Sequence, residues 1–316
     1  MTQMTDNLFS TKRRICILGG TGFVGEGVIP RLLRDGHEIL LLVRSESEVP
    51  EKWKNNESIS WVLGDATKPD SYQKAFNDFC PDTLIYLIGL VREFPKRDIT
   101  WEKLHYQAFV DAVTLLKESL KKVIYMSADV ARPEGTGYET TKWRAEEFIK
   151  QSRINYTIFR PTIIMAPSTQ YHFTRVLKGL TRSPLIPLFG RGSFLLSPVS
   201  RDDVAEAFAQ SLLFQKYSQR NFDLKGRTDC TYRVLLERIR DISGQKGMLI
   251  PIPIIFFKIL GRVLGRFSWF PFTYDQITML TRGIISDDEE IWHLMNHNPL
   301  TLEEILEQYR GSNSVE

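Results

Sequence analysis

Short apolar runs alternate with helical stretches through the first half of the chain. Residues 14–18 read as a buried strand, followed by a glycine-rich turn and a helix to about residue 34, which Asp35 and Gly36 end. Apolar runs recur at 38–43, 59–63, 83–88, 122–126 and 156–159. Between them lie helical patterns at 70–79, 100–120 and 138–151. Short strands rich in Ile, Leu and Val, separated by helices, predict parallel βαβ units with both sheet faces covered. Right-handed crossovers make an α/β, doubly wound sheet the expected topology.

After Pro161 the pattern changes. Prolines and glycines crowd residues 183–192, which predicts an irregular, exposed loop. Residues 202–214 read as helix, 221–224 as a last strand returning to the sheet, and the chain from 228 onward as a smaller, mostly helical lobe. The expected division is a Rossmann domain of residues 1–165, with 193–225 returning to it, and a C-terminal lobe of 166–192 and 226–316. Such a lobe fits a chain of 316 residues.

The net charge of +3 argues neither for nucleic acid nor for a strong pull toward membranes. Cys16, Cys80 and Cys230 are widely spaced and form no Cys-x-x-Cys pair. Neither a disulfide framework nor a zinc site is expected, which points to a reducing compartment, cytoplasmic or matrix. Residues 1–14 are polar, and Asp6 speaks against a transit peptide. No run approaches the ~20 apolar residues of a membrane span.

The chemistry begins at the turn after the first strand. Gly19, Gly22 and Gly25 stand at i, i+3 and i+6 in Gly19-Gly20-Thr21-Gly22-Phe23-Val24-Gly25. A glycine triplet alone is weak, but between a strand and a helix it predicts dinucleotide binding. Gly19 would let the chain turn sharply, Gly22 would leave room for a pyrophosphate, and Gly25 would let helix and strand pack closely. The helix start offers N–H groups and partial positive charge to the anion.

The second strand ends Leu41-Leu42-Val43-Arg44-Ser45, without the acid that binds an NAD ribose. Arg44 and Ser45 suit a 2′-phosphate, so NADP(H) is favoured over NAD(H). The alternative is a solvated strand-end arginine at a site that takes either. Asp65 and Ala66, after the third strand, are placed to touch adenine. Leu87, Ile88 and Gly89 should line the cofactor.

Tyr138 and Lys142 form a Tyr-x-x-x-Lys pair on one helix face, just after the fifth strand. A neighbouring ammonium lowers a phenol pKa, which suits Tyr138 to proton exchange with an alcohol or carbonyl. Lys142 is also a candidate contact for the nicotinamide ribose. His105 is expected to be a hydrogen-bonded histidine beside the cofactor. His37, His172, His293 and His297 lack metal-ligand spacing, and no metal is expected. Asp202-Asp203 reads as a helix N-cap and residues 287–290 as a solvated helix start.

With these motifs, the chain resembles the short-chain dehydrogenase/reductase superfamily, of the extended and atypical, epimerase/dehydratase-like kind. It is most similar to the group related to the dinucleotide-binding accessory subunit of respiratory complex I. The resemblance runs over nearly the whole chain. It continues through Tyr86-Leu87-Ile88-Gly89, Met126-Ser127-Ala128, Phe159-Arg160-Pro161-Thr162, residues 198–205 and Thr273-Tyr274-Asp275-Gln276. It implies cofactor contacts from the glycine loop, Arg44, Met126, Lys142, Arg160, Pro161 and Thr162. It also implies a Ser or Thr after the fifth strand to polarise the substrate oxygen. Here Ala128 holds the commonest position and Ser127 precedes it. In this branch the cofactor is often structural, so two roles stay open: a structural or regulatory dinucleotide-binding protein, or an oxidoreductase or epimerase/dehydratase using Tyr138, Lys142 and Ser127. A redox-sensing binding protein is a third.

Residues 248–270 are the most apolar stretch and are expected to be helical, with Lys258, Arg262 and Arg266 four residues apart. One reading packs this helix on the sheet; the other rests it on a membrane surface or a respiratory-complex partner, peripheral to the inner membrane.

Overall fold

The structure is a computed structural model that describes residues 12–167, 172–267, 269–283 and 287–312. Its strands in the first half are β1 (Arg14–Leu18), β2 (Glu38–Val43), β3 (Ile59–Leu63), β4 (Thr83–Tyr86), β5 (Lys122–Met126) and β6 (Asn155–Pro161). The helices between them are α1 (Gly25–Arg34), α2 (Glu51–Lys54), α3 (Gln73–Phe79), α4 (Ala108–Leu116) and α5 (Gly137–Gln151). With the strand Arg220–Leu224 at one edge, the sheet order is Arg220–Leu224, β6, β5, β4, β1, β2, β3.

β1 pairs in parallel with β2 and β4, β2 with β3, β4 with β5, and β5 with β6. Strand order therefore reverses between β1 and β4, the position where doubly wound sheets open a crevice beyond their carboxyl ends. Every residue of β4 and β5 is buried. The apolar runs are continuous because helices cover both faces. On one face Leu18, Tyr86 and Tyr125 join Phe109, Ala112 and Ile149 in a single core. The stretch expected as one helix at 100–120 divides into a π-helical turn, Glu102–Gln107, and α4.

The chain separates into two compact units, residues 1–161 with 204–223, and 162–203 with 224–316. Residues 193–203 fall in the second unit rather than with the sheet. Their short strands explain this: Leu195–Leu196 pairs with Cys230–Thr231, and Val199–Ser200 with Ile164–Met165.

Two other expectations change. Leu185–Phe189 is a strand, not an irregular loop, and Met248–Ile252 is a strand rather than the start of a helix. The two pair in parallel, Leu185 opposite Met248 and Phe189 opposite Ile252. A two-stranded pair tolerates Pro187 and Pro251 because each strand has an edge that needs no donors. The helix begins only at Ile254 and runs to Leu264.

Asp203 does not cap the helix Arg201–Leu213. Ser200 Oγ accepts the Asp202 N–H at 3.0 Å, while Asp203 binds His297 Nε2 at 2.7 Å and the Leu300 N–H at 2.9 Å. Among the described residues, no helix is long and apolar enough to cross a membrane.

Candidate functional site

The turn between β1 and α1 is built by its glycines. Gly19 has φ +81°, a left-handed conformation that side chains disfavour. A Cβ there would also lie 2.9 Å from Ile88 N, so the turn lies against the end of β4. Gly25 has no room at all: its Cβ would meet Gly20 O at 1.9 Å. At Gly22 the nearest atom to an added Cβ is Gly19 O at 3.2 Å, and the Gly22 N–H also turns back to that oxygen. A side chain at Gly22 would therefore press on the backbone of the turn as well as fill the space where a diphosphate would lie. The residues present fit the dinucleotide predicted from the sequence.

The carboxyl ends of β4 and β5 meet α5 beside this turn. Lys142 is fully buried, and its ammonium donates to Ile88 O at 3.1 Å and Met126 O at 2.8 Å. It also lies 4.9 Å from the Tyr125 ring centroid. Burial pulls its pKa down to about 7, against the upward pull of Glu146. Gly89 approaches Met126, whose Cε would be 3.8 Å from an added Cβ.

Tyr138 lies one turn before Lys142 on α5, which starts with a capping box between Thr136 and Glu139. Its ring sits edge-on to His105 at 5.1 Å and to Trp101 at 6.3 Å. His105 is buried in the π-helical turn; its Nε2 accepts the Leu90 N–H at 3.0 Å, and its Nδ1 lies 3.2 Å from Thr141 Oγ1. Burial and the Lys142 charge hold its pKa well below the usual imidazole range, so it stays neutral.

The structure therefore gathers Gly19, Leu87, Ile88, Gly89, Met126, Lys142, Tyr138 and His105 along one edge of the sheet. Arg44, Ser45, Asp65 and Ala66 follow β2 and β3 at the same edge, since Leu18 is in register with Leu42 and Val43 with Leu63. Arg44 is 75% exposed and pairs with Glu48 at 2.7 Å, while Ser45 Oγ meets Ser47 Oγ at 2.8 Å. Asp65 Oδ1 accepts from the Thr67 N–H and hydroxyl at 2.9 and 2.8 Å.

Ser127 and Arg160 both direct their side chains to Glu146. The Ser127 hydroxyl donates to Glu146 Oε1 at 2.5 Å. Arg160 grips both oxygens of the same carboxylate, with Nε at 2.9 Å from Oε1. Pro161 ends β6, and Thr162 belongs to the second unit, where its hydroxyl donates to the carbonyls of Ser197 and Leu224. Their shared partner Glu146 is fully buried and one turn past Lys142, and the sequence reading missed it. Its i+4 spacing from the lysine was the available signal. Asp129 was missed too. Burial and the nearby Asp223 raise its carboxyl to about 7.

Residues 19–214 match a family model described as NAD(P)H-binding. The chain is 22% identical over 261 residues to the Photosystem II assembly factor Ycf39 of Trieres chinensis, spanning 81% of this chain and 77% of that protein. It is 23% identical over 265 residues to the mitochondrial NADH-ubiquinone oxidoreductase 40 kDa subunit of Neurospora crassa, spanning 81% and 67%. Among solved structures, the Bordetella bronchiseptica enzyme WbmG, in complex with NAD and UDP, has a TM-score of 0.75 at 13% identity, covering 96% of this chain and 95% of that one. The UDP-glucose 4-epimerase of Thermotoga maritima gives 0.72 at 17% identity, covering 96% and 99%. Identities this low in solved structures carry the fold alone. The chain belongs to the NAD(P)H-binding family, with a nicotinamide dinucleotide as its cofactor.

Proposed function

We propose that this protein holds NADP(H) chiefly for a structural or regulatory role, in or beside a respiratory membrane complex. The observation that carries this reading is the Ser127 hydroxyl committed to Glu146. A reductase needs a hydroxyl donor near its tyrosine to polarise a substrate oxygen. Ala128 has none, and the Ser127 proton is already given to a buried carboxylate.

The remaining residues suit binding better than turnover. The diphosphate is assigned to the backbone from Gly19 through Thr21, Gly22, Phe23 and Val24 to Gly25. Asp65 and Ala66 are assigned to the adenine end. Arg44 and Ser45 supply donors for a 2′-phosphate, which supports NADP(H) over NAD(H). Leu87, Ile88, Gly89, Met126, His105, Tyr138, Lys142 and the backbone at Arg160-Pro161 are assigned to the nicotinamide end. Relatives named as an assembly factor and as an oxidoreductase subunit support a role within a larger complex. Residues 248–270 are the candidate face toward a respiratory-complex or membrane-surface partner, and the protein would sit at the inner membrane, on the matrix side in a mitochondrion.

Mass spectrometry of the dinucleotide that co-purifies with the protein, followed by assays with sugar, steroid and quinone-like carbonyls, tests this. Retained NADPH with no turnover supports the reading. Turnover that Tyr138→Phe abolishes would replace it with an NADP-dependent oxidoreductase or epimerase/dehydratase.

A further inference from the structure

The helix Ile254–Leu264 turns one side to the core of its own unit and leaves another uncovered. Ile254 and Phe257 pack on that core, and Gly261 packs so closely that an added Cβ would lie 2.8 Å from Tyr274 N. Elsewhere on the helix, Ile255, Ile259 and Val263 stand at i, i+4 and i+8 with Phe256 and Leu260 beside them. All five are exposed, Ile255 by 59%. Isolated exposed apolar residues are ordinary, but five on one helix face make a patch. Just past the helix, Phe267 and Trp269 stack at 6.1 Å and extend it, with Trp269 69% exposed.

Lys258, Arg262 and Arg266 form a second row at the same spacing, flanking the patch. Lys258 and Arg262 lie over the Tyr274 ring at 5.8 and 5.4 Å, which orients the row. No Asp or Glu occurs between residues 242 and 274. The net charge of +3 is small, so any attraction to an anion here is local.

We propose that this face docks on an anionic lipid surface. An 11-residue helix cannot cross a bilayer, but lying in the interface it buries an apolar face while its cations reach the headgroups. Exposed Trp and Phe beside such a helix suit the same layer. A second copy of the chain fits poorly, because a two-fold pairing would set the basic row against itself without an acid to answer it. The inference deepens, and rests on, the reading of 248–270 as a partner face; dinucleotide binding is measured separately, so the two readings fail apart.

The test is co-sedimentation of the full chain with vesicles of phosphatidylcholine alone or mixed with phosphatidylglycerol, with NADPH binding followed in the same samples. Binding to the anionic vesicles is expected. The variant Lys258→Gln/Arg262→Gln/Arg266→Gln should bind them about a hundredfold more weakly. Ile255→Ser/Ile259→Ser/Val263→Ser should not bind either vesicle. NADPH affinity unchanged in both variants shows that they fold. The proposal is overturned if the wild-type chain stays in the supernatant while binding NADPH, or if the cation-free variant binds as the wild type does. Self-association through this face without vesicles, or capture only by delipidated respiratory subunits, also overturns it.

Discussion

Ser127 Oγ donates to Glu146 Oε1 at 2.5 Å, and through that bond the hydroxyl that follows β5 is tied into the buried charge network of α5. Glu146 has no exposure, and Arg160 and Lys150 both approach it. A buried carboxylate persists only when its charge is answered by cations and hydrogen bonds.

Arg160→Met should therefore take from Glu146 its two-point counter-ion, leaving only Lys150 at 3.5 Å and the Ser127 hydroxyl, and cost about 3 kcal/mol. Ser127→Ala removes one hydrogen bond and should cost about 1 kcal/mol. Urea denaturation of both variants checks the ranking. Equal losses would mean that Arg160 is not the principal counter-ion.

Gly22→Ala and Gly25→Ala should separate binding from folding. The Gly25 variant drives a methyl into Gly20 O and should lose several kcal/mol of stability. The Gly22 variant needs Gly19 O, 3.2 Å away, to give by a few tenths of an ångström, so it should lose far less stability than the Gly25 variant and bind NADPH at least about tenfold more weakly. Thermal melts with and without NADPH read both quantities.

Arg44 is shared between a prospective 2′-phosphate and Glu48. Glu48→Gln should release the guanidinium and raise NADPH affinity relative to NADH. Arg44→Ala should lower that ratio about tenfold, as expected for one charge-assisted contact. Fluorescence titrations with the two cofactors decide it, and an unchanged ratio in Arg44→Ala would remove Arg44 from the site.

Asp129 sets a pH dependence. Its folded pKa is raised to about 7, so the folded state binds this proton more tightly than the unfolded state does. Its contribution is greatest below the unfolded value of about 4 and is lost as pH rises toward 7. Asp129→Asn should leave the melting temperature unchanged near pH 4 and raise it at pH 8. A melting-temperature profile in which the variant and wild type stay parallel would refute the assignment.

The sheet and the glycine turn were legible because their causes are local. A strand buried on both faces must be apolar throughout, as β4 and β5 are. A turn that brings Gly19 against Ile88 and Gly25 against Gly20 admits few side chains. The pairing of Leu185–Phe189 with Met248–Ile252 was not legible, because two proline-bearing runs about 60 residues apart carry no local sign of each other. Asp203 looked like a cap for the same reason: its partners, His297 and Leu300, lie nearly a hundred residues away.

The order of residues by itself determined the parallel sheet, the dinucleotide turn and the Tyr138–Lys142 spacing, since each follows from periodicity, missing side chains or one turn of helix. Only tertiary structure decided what the polar groups do. It gave Lys142 to the carbonyls of Ile88 and Met126, Ser127 and Arg160 to Glu146, and Arg44 to Glu48. Hydrogen bonds and charges are satisfied by whatever the fold brings near, and for Lys142, Ser127 and Arg160 those neighbours come from other elements of the fold.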